Sequence, residues 1–501
     1  MNKRISPLAA LSIASPDVFE PKTFVDDAKG AVDALSALYD RNTQFLVDAF
    51  KELGRNGAPI SRYRACYPQI SIETSSYSHV DSRLSYGYVG GPGFYSTTIT
   101  RPQLFRHYLK EQIDLLMRSH GVGVTISESS TPIPLHFAFG EGAHVEASMA
   151  ENIDVPLRDL FDAPDLSNTD DEIANGSYEP GPGEPFPLAP FTAQRIDYSL
   201  ARLAHYTATK AEHFQNFVLF TNYQFYIDEF CAWARKQMAE GGNGYTAFVE
   251  PGNIVTEPGM DGPDPELTVT RLPQMPAYHL KKKGHGGITV VNIGVGPSNA
   301  KTITDHIAVL RPHAWLMLGH CAGLRNSQQL GDYVLAHAYV REDHVLDDDL
   351  PVWVPIPALA EVQVALQDAV AEVTGYEGYD LKRIMRTGTV ATIDNRNWEL
   401  RDQRGPVKRL SQSRAIALDM ESATVAANGF RFRVPYGTLL CVSDKPLHGE
   451  LKLPGMATAF YKTQVSQHLQ IGILALQKLA AMPPEKMHSR KLRSFFETAF
   501  Q

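Results

Sequence analysis

The sequence contains little cysteine and no paired cysteine motif. Four cysteines occur among 501 residues, far apart, and none forms a CxxC pair. This spacing argues against zinc-finger and thioredoxin-type sites, and no metal site is predicted. Three of the four lie in apolar surroundings, which favours reduced, buried thiols in a cytosolic protein. The cysteines are Cys66, Cys231, Cys321 and Cys441.

Long apolar runs are also missing. No stretch approaches the roughly 20 residues that a membrane-spanning helix needs. The apolar patch near the N-terminus is short and interrupted by Ser and Pro, which is not typical of a signal peptide. We therefore predict a cytoplasmic protein that does not interact with membranes.

The chain has no excess of positive charge. Its formal net charge is −9 and its isoelectric point is about 6.0. This balance argues against a nucleic-acid-binding protein that neutralises phosphates, although it leaves a local basic pocket open. At 501 residues the chain is too long for one ordinary core, so we expect two domains or more.

Residues 1–165 have the pattern of an α+β domain. Helical periodicity covers residues 24–54, and a second helical segment covers residues 101–121. Between and after these segments the sequence is rich in Tyr, Ser, Thr and Ile and is punctuated by Gly and Pro, which is typical of strands and turns. Residues 166–195 are acidic and then rich in Pro and Gly, and we predict a linker there.

From residue 196 to residue 501, short β-rich runs alternate with helical patterns. This alternation predicts an α/β domain with helices packed on the faces of a sheet. Ligands of such sheets bind at the carboxyl ends of the strands. Four predicted strand ends carry chemically useful residues: "NIGVGPSNA", "LGHCAGLRNS", "LDMES" and "CVSDKPLHGE".

Two of these strand ends are rich in glycine. Gly294 and Gly319 follow apolar runs, where glycine lets backbone amides approach a ligand. Arg325 follows the second and is a candidate for binding a phosphate. Neither segment is a GxGxxG or P-loop motif, so an ordinary turn between strand and helix remains open for both.

The other two strand ends carry carboxylates. Asp419 and Glu421 lie where a strand passes into a helix, so either acid is a candidate for helix capping or for binding ligand hydroxyls. Ser443 and Asp444 end an apolar strand. A carboxyl group at the edge of an apolar pocket tends to have a raised pKa and can act as a general acid, although capping of a turn is the alternative. Lys445 follows them and is a candidate for binding an anionic substrate.

In this order, the four motifs resemble those of the nucleoside phosphorylase and nucleosidase superfamily over residues 205–480. The longer segments "RIDYSLARLAHYTATKAEHFQNFVLFTNYQFYIDEF" and "TVATIDNRNWEL", together with the N-terminal extension, resemble the bacterial AMP nucleosidases over nearly the whole chain. The resemblance implies a C-terminal phosphorylase-like α/β/α domain with a central mixed sheet, preceded by the α+β domain.

The resemblance also implies a reaction and its residues. The reaction is hydrolysis of AMP to adenine and ribose 5-phosphate, without a cofactor. By this likeness Glu421 holds the ribose hydroxyls, Met420 lies beneath the sugar, and Asp444 assists the purine at N7, next to Ser443. The base wall is expected from three consecutive residues, Arg396, Asn397 and Trp398.

The likeness further implies a homo-oligomer, a hexamer, in which His213 reaches the ribose 5′ end of the neighbouring subunit. A surface histidine is the alternative for this residue. Activation by ATP and inhibition by phosphate are implied as well. The 5′-phosphate needs basic partners, and the candidates are Arg325, Lys445, His448, Lys452, Arg83 and Arg101.

The chain departs from the phosphorylases at one strand end. They carry an arginine just before the glycine that Gly319 matches, whereas this chain has Met317 and Leu318. Without that cation, water is favoured over phosphate as the nucleophile. Tyr223 and Asp228 are open candidates for activating the water. A phosphorylase or nucleosidase for unphosphorylated nucleosides and a non-catalytic nucleotide sensor are the alternative functions.

Overall fold

The chain forms two compact units. The computed structural model describes residues 12–56, 61–77, 81, 84–140, 155–260, 262, 271–400, 402, 404–449, 456–487 and 497–501. The first unit comprises residues 1–201 and 494–501, and the second comprises residues 202–493. Within the described residues, no helix is long and apolar enough to cross a membrane.

The first unit is an α+β structure. Its long helix, Ala28–Asn56, buries an apolar face formed by Val32, Leu35, Leu38 and Leu46, as the periodicity predicts. The strands are β1 (Ile13–Ala14), β2 (Lys22–Phe24), β3 (Arg62–Tyr63), β4 (Cys66–Thr74), β5 (Gly93–Thr98), β6 (Val124–Pro132) and β7 (Phe186–Pro187). In the described part, β1 pairs with β3 and the others form a sheet of order β2-β6-β4-β5-β7. Further helices are Arg106–His120, Leu135–Ala138, Leu157–Leu160, Glu172–Asn175 and Ala193–Thr207, the last of which crosses the division between the units.

A buried carboxylate links several elements of the first unit. Asp197 accepts hydrogen bonds from the hydroxyl groups of Tyr67, at 2.7 Å, and Thr100, at 2.9 Å. Arg101 donates from Nε to Asp197 at 3.3 Å and from Nη2 to the carbonyl oxygens of Phe137 and Phe139. Burial, opposed by the Arg101 charge, raises the pKa of Asp197 to about 6. Arg101, a sequence candidate for the substrate phosphate, therefore takes part in the internal structure of this unit.

The second unit is built on a mixed sheet. Its strands are β8 (Phe217–Thr221), β9 (Tyr245–Glu250), β10 (Ile254–Thr256), β11 (Ala277–Lys282), β12 (Ile288–Asn292), β13 (Ala314–Gly323), β14 (Tyr333–Glu342), β15 (Met385–Ile393), β16 (Ala415–Asp419) and β17 (Tyr436–Asp444). Among the described residues they form one sheet of order β10-β9-β11-β12-β8-β13-β16-β15-β14-β17. The central strands β12, β8 and β13 are parallel, so their carboxyl ends lie at one edge.

Half of this sheet closes on itself through β13. That strand pairs antiparallel with β16, at Ala322–Leu418, and parallel with β17 from Trp315–Tyr436 onward. Because β17 also pairs with β14, the strands β13, β16, β15, β14 and β17 form a ring. The predicted strand ends at Gly319, Asp419 and Asp444 all belong to strands of this ring.

Helices cover both faces of the sheet. Consecutive residues of a strand point to opposite faces, so Tyr436 and Gly437 identify the two layers. The Tyr436 side chain packs against Gly429, in the helix Ser422–Phe432. On the opposite face, Gly437 packs against Val362, in the helix Ala360–Thr374. The predicted α/β/α arrangement with a mixed central sheet is confirmed. The helices are Gln224–Glu240, Pro297–Ile307, Ala360–Thr374, Gly378–Ile384, Arg404–Gln412, Ser422–Phe432, Met456–Ala480 and Pro484–Met487.

Candidate active site

The register of the sheet brings distant residues to one place. The strand β16 pairs with β13 at Ala322–Leu418 and ends at Asp419, and Glu421 follows that end. The strand β8 pairs with β13 at Met317–Phe220 and ends at Thr221, and the Oδ1 atom of the next residue, Asn222, lies 3.5 Å from the Cβ position of Gly319. The candidate site therefore forms beside β13, where β8 and β16 end.

Glu421 accepts hydrogen bonds from two donors. Its Oε1 accepts the backbone N–H of Gly296 at 2.6 Å, and its Oε2 accepts Nδ2–H of Asn222 at 2.9 Å. The residue is 1% exposed. Burial, and then the neighbouring Asp419, raise the pKa of Glu421 to about 8, while the two donors oppose this shift. The carboxylate is thus fixed in orientation at the end of the sheet.

Asp419 anchors the start of the helix Ser422–Phe432. Its Oδ2 accepts the Ser422 N–H at 2.9 Å and also the Ser422 hydroxyl. Its Oδ1 accepts the Thr392 hydroxyl at 2.5 Å, and Thr392 Oγ1 accepts the Ala423 N–H at 2.9 Å. Glu421 holds the N-cap position but makes no side-chain cap bond. The alternative left open by the sequence is thereby resolved: Asp419 satisfies the first helical N–H, and Glu421 is directed elsewhere.

A bulge orients the end of β17. Cys321 pairs with Val442 and Ala322 pairs with Asp444, so Ser443 is the extra residue. Bulges redirect side chains and occur often near active sites. Ser443 Oγ lies 2.7 Å from Asp444 Oδ1 and 3.4 Å from the Cys321 carbonyl oxygen. Asp444 is half-buried.

The basic residues after β17 stabilise the neighbouring turn. Lys445 is 2% exposed, and its Nζ donates to the Asn326 carbonyl oxygen at 3.0 Å. His448 Nε2 lies 3.3 Å from the Leu324 carbonyl oxygen. Arg325 is half-buried and lies in the same turn. Lys452 and Arg83, two other candidates for the 5′-phosphate, lie outside the described residues.

The expected base wall separates into exposed and buried residues. Arg396 and Asn397 are exposed, whereas Trp398 is 8% exposed and packs in an apolar cluster with Leu418 and Leu324. Trp398 and Leu418 also line a cavity of about 220 Å³. Of the three consecutive residues, Trp398 is the one that presents a buried aromatic surface.

The remaining sequence candidates lie around β8. His213 precedes the strand, and its Nδ1 lies 3.2 Å from Lys281 Nζ. Burial, and then the Lys281 charge, lower the pKa of His213 to about 4, so its imidazole is neutral near pH 7. Tyr223 follows the strand, with its ring 5.0 Å from that of His320. Asp228 is exposed and accepts a hydrogen bond from Gln224 at 3.0 Å.

Sequence reasoning missed Asn222 and Thr392. Asn222 follows the apolar run "FVLFT" directly, and a polar residue at a strand end was the available signal. Thr392 gave no comparable signal, because its importance depends on contacts with Asp419 on the neighbouring strand and with Ala423 in the helix that follows that strand. In the part of the chain that the structure describes, no group of three or more His, Cys, Asp or Glu converges as metal ligands would.

Two family models match the chain. Residues 30–185 match the model described as "Bacterial AMP nucleoside phosphorylase N-terminus". Residues 268–475 match the model described as "Phosphorylase superfamily". The second match contains Gly296, Gly319, Glu421 and Asp444.

Curated proteins resemble the chain over nearly its full length. AMP nucleosidase of Escherichia coli strain K12 is 48% identical over 482 residues, which are 94% of this chain and 98% of that protein. AMP nucleosidase of Escherichia coli O157:H7 gives the same values. Among solved structures, AMP nucleosidase from Bacteroides thetaiotaomicron is 28% identical, with a TM-score of 0.40, over 56% of this chain and 96% of that one. By the identity and coverage of the curated relatives, the chain belongs to the AMP nucleosidase family.

Proposed function

We propose that this protein hydrolyses the N-glycosidic bond of AMP, which yields adenine and ribose 5-phosphate. The relatives named as AMP nucleosidases support the reaction. The observation that carries the proposal is the buried Glu421 carboxylate, held at the strand ends by Gly296 and Asn222. Such a fixed carboxylate suits a sugar that becomes positively charged during the reaction.

Glu421 is proposed to bind the ribose 2′ and 3′ hydroxyls. Hydroxyl donors favour the charged form of a carboxylate, so substrate binding would offset the burial that raises the pKa of Glu421. Cleavage of C1′–N9 gives the ribose oxocarbenium character, which the anion stabilises. Met420 is half-buried beside it and is proposed to lie beneath the sugar.

Asp444 is proposed to protonate or hydrogen-bond N7 of the purine. The Ser443 hydroxyl occupies Oδ1 at 2.7 Å, which leaves Oδ2 for the base. A protonated N7 accepts the electron pair of the broken bond more readily. General acid catalysis of this kind contributes roughly 10²–10⁴-fold. Trp398 is the proposed wall for the base, beside Arg396 and Asn397.

The surroundings of Gly319 support water as the nucleophile. Met317 and Leu318 are fully buried, and the Met317 methyl group lies 3.1 Å from where a Cβ of residue 319 would be. A phosphate dianion needs cationic or N–H donors, which these apolar side chains do not offer.

The activity test incubates the purified protein with AMP, adenosine or inosine, with and without phosphate. We expect adenine release from AMP without added phosphate. Activity restricted to adenosine with phosphate would instead identify a phosphorylase, and no turnover of any substrate would identify a nucleotide sensor.

The role of Glu421 is tested by Glu421→Gln in the same assay. We expect a loss of turnover on the order of 100-fold or more, as when one electrostatic contact to the transition state is removed. Glu250→Gln is the control, since Glu250 is a half-buried carboxylate that pairs with Arg235 at 2.7 Å. Equal turnover in both variants would refute the role.

We also propose a cytoplasmic homo-oligomer, a hexamer, that ATP activates and phosphate inhibits, as the family resemblance implies. In that assembly His213 would reach the neighbouring subunit's ribose 5′ end, and Gly294, Arg325 and Lys445 would lie around the substrate. Light scattering gives the assembly size. Mixing His213→Gln with Asp444→Asn protein tests shared sites, because regained activity requires residues from two subunits.

A further inference from the structure

A cavity lies beside the carboxyl ends of three strands in the second unit. It has a volume of about 220 Å³, and its lining includes Trp398, Leu418, Glu342 and Arg409. The strands β14, β15 and β16 pair in parallel, so their carboxyl ends lie at the same edge of the sheet. Glu342 ends β14, and Leu418 is the residue before the end of β16. The cavity therefore takes part of its lining from strand ends, where ligands of such sheets bind.

One apolar surface connects this cavity with Asp444. Leu418 pairs with Ala322 of β13, and Ala322 pairs in turn with Asp444 of β17. Because neighbouring strands are about 4.8 Å apart, the backbones of Leu418 and Asp444 lie about 10 Å apart. Ala322 is half-buried and packs against the apolar cluster that contains Leu418 and Trp398. A planar base that contacts Asp444 can therefore lie over Ala322 with part of its ring in the cavity.

The polar lining of the cavity includes an ion pair between a strand and a helix. Arg409 Nε, in the helix Arg404–Gln412, donates to Glu342 Oε1 at 3.0 Å. Within the described residues, Arg409 is the one donor recorded for the Glu342 carboxylate. A carboxylate has about four lone-pair positions for hydrogen bonds, so Glu342 can accept from a ligand as well. The Glu342 side chain is 25% exposed, so a ligand can reach it.

The base of AMP carries a group that suits this carboxylate. The 6-amino group of adenine donates through two N–H groups, and a carboxylate in an ion pair accepts. A base with hydrogen or oxygen at C6 lacks those donors, and an oxygen there would face the carboxylate with its lone pairs. Since Arg409 balances the charge of Glu342, the pair selects a 6-aminopurine by hydrogen bonding and not by net charge.

We propose that Glu342, oriented by Arg409, determines the specificity of this protein for adenine by accepting a hydrogen bond from the 6-amino group. The proposal rests on the hydrolysis of AMP proposed above. In this arrangement the Trp398 ring lies beside the base, and the amino group points towards the end of β14. Glu342 is thus a specificity-determining residue, separate from the groups that break the glycosidic bond.

A second acid also lines the cavity. Asp394 follows β15, and its backbone N–H donates to the Glu342 carbonyl oxygen at 3.3 Å. Asp394 is exposed, whereas Glu342 is half-buried. Water competes more strongly for an exposed carboxylate, so a hydrogen bond to it contributes less to binding. Because Glu342 is less exposed and is oriented by Arg409, it is the stronger candidate of the two.

The test combines a change in the substrate with a change in the protein. It measures kcat/KM for AMP and for purine riboside 5′-monophosphate, which has hydrogen in place of the amino group. We expect wild-type protein to prefer AMP by roughly 10- to 100-fold, the effect of one hydrogen bond to a charged group. Glu342→Ala should remove most of this preference, because only AMP loses a contact. Glu342→Gln should retain part of it, because an amide oxygen still accepts from the amino group.

Two further variants serve as controls. Glu250→Ala removes a half-buried carboxylate that also pairs with an arginine, Arg235, at 2.7 Å. Glu250 lies on β9, near the opposite end of the sheet order from β14, so the preference for AMP should be unchanged. Asp394→Asn should likewise keep most of the preference. Both substrates are measured on the same sample, so their ratio does not depend on the fraction of protein that is folded.

The outcomes separate this proposal from the proposed function. If wild-type protein releases no adenine from AMP, the proposed function fails. If wild-type protein hydrolyses AMP but Glu342→Ala keeps the wild-type preference, the present proposal is overturned and the proposed function stands. Equal kcat/KM values for the two substrates in wild-type protein would also overturn it. A preference that is lost in Asp394→Asn and kept in Glu342→Ala would assign the contact to Asp394 instead.

Discussion

Glu421 Oε1 and the backbone nitrogen of Gly296 lie 2.6 Å apart, although 125 residues separate them in the chain. Each residue is the N-cap of a helix, Gly296 of Pro297–Ile307 and Glu421 of Ser422–Phe432. The positive ends of two helix dipoles therefore meet at one carboxylate. This arrangement stabilises the negative charge that burial disfavours.

The first prediction concerns pH and stability. Burial raises the pKa of Glu421 from 4.5 to about 8, so the folded protein binds this proton more tightly than the unfolded chain. The contribution is fully present below pH 4.5 and is lost as pH rises to about 8. Glu421→Gln should flatten the fall in unfolding free energy of the ligand-free protein across this range. Urea unfolding at several pH values measures the unfolding free energy of both proteins. The same dependence on pH in the wild type and in Glu421→Gln would contradict the prediction.

The second prediction compares two aspartates. Asp444→Asn should lower kcat on AMP by roughly 10²–10⁴-fold, because an amide cannot protonate N7. Asp228→Asn should retain most of the activity, since Asp228 is exposed and bonds only Gln224 among its recorded side-chain partners in the described chain. Steady-state kinetics with AMP measures kcat for both variants. A severe loss in the Asp228 variant would restore that residue as a candidate for activating water.

The third prediction concerns the anchor of the helix Ser422–Phe432. Thr392→Val removes the hydroxyl that joins Asp419 Oδ1 to the Ala423 N–H, and leaves both buried groups with one partner fewer. We expect a loss of about 1–3 kcal/mol in unfolding free energy. Thr374→Val is the control, because its hydroxyl bonds a carbonyl oxygen of its own helix. Equal losses in the two variants would argue against a special role for Thr392.

The fourth prediction concerns a buried histidine in the helix Met456–Ala480. His468 Nε2 donates to the Leu439 carbonyl oxygen, and Nδ1 accepts the Tyr226 hydroxyl at 2.7 Å. Burial lowers the pKa of His468 to about 3, so the ring is neutral. Tyr226→Phe should cost about 1–3 kcal/mol, because Nδ1 loses its partner. Tyr379→Phe, at an 84% exposed position, should leave the unfolding free energy unchanged.

Local pattern predicted the elements better than their partners. The helices Ala28–Asn56 and Arg106–His120 lie where periodicity predicts helical segments, at residues 24–54 and 101–121, since the spacing of apolar residues is a local property. Glu421 became a candidate site residue because the order of the motifs pointed to it. Asn222 was missed because its meaning depends on a carboxylate 199 residues away. Tertiary contacts also determine which basic side chains already have a hydrogen-bond partner. Lys445, for example, donates to the Asn326 carbonyl oxygen.

The ring formed by β13 has a consequence for the folding pathway. Its strands pair residues about a hundred positions apart, such as Ala322 with Leu418 and Trp315 with Tyr436. Contacts of such high sequence separation form slowly, because the loop-closure entropy is lost before the pairing compensates for it. Glu421 follows β16 and Asn222 follows β8, so their contact also joins distant parts of the chain. Recovery of AMP hydrolysis during refolding should therefore lag behind helix formation and report the last long-range step.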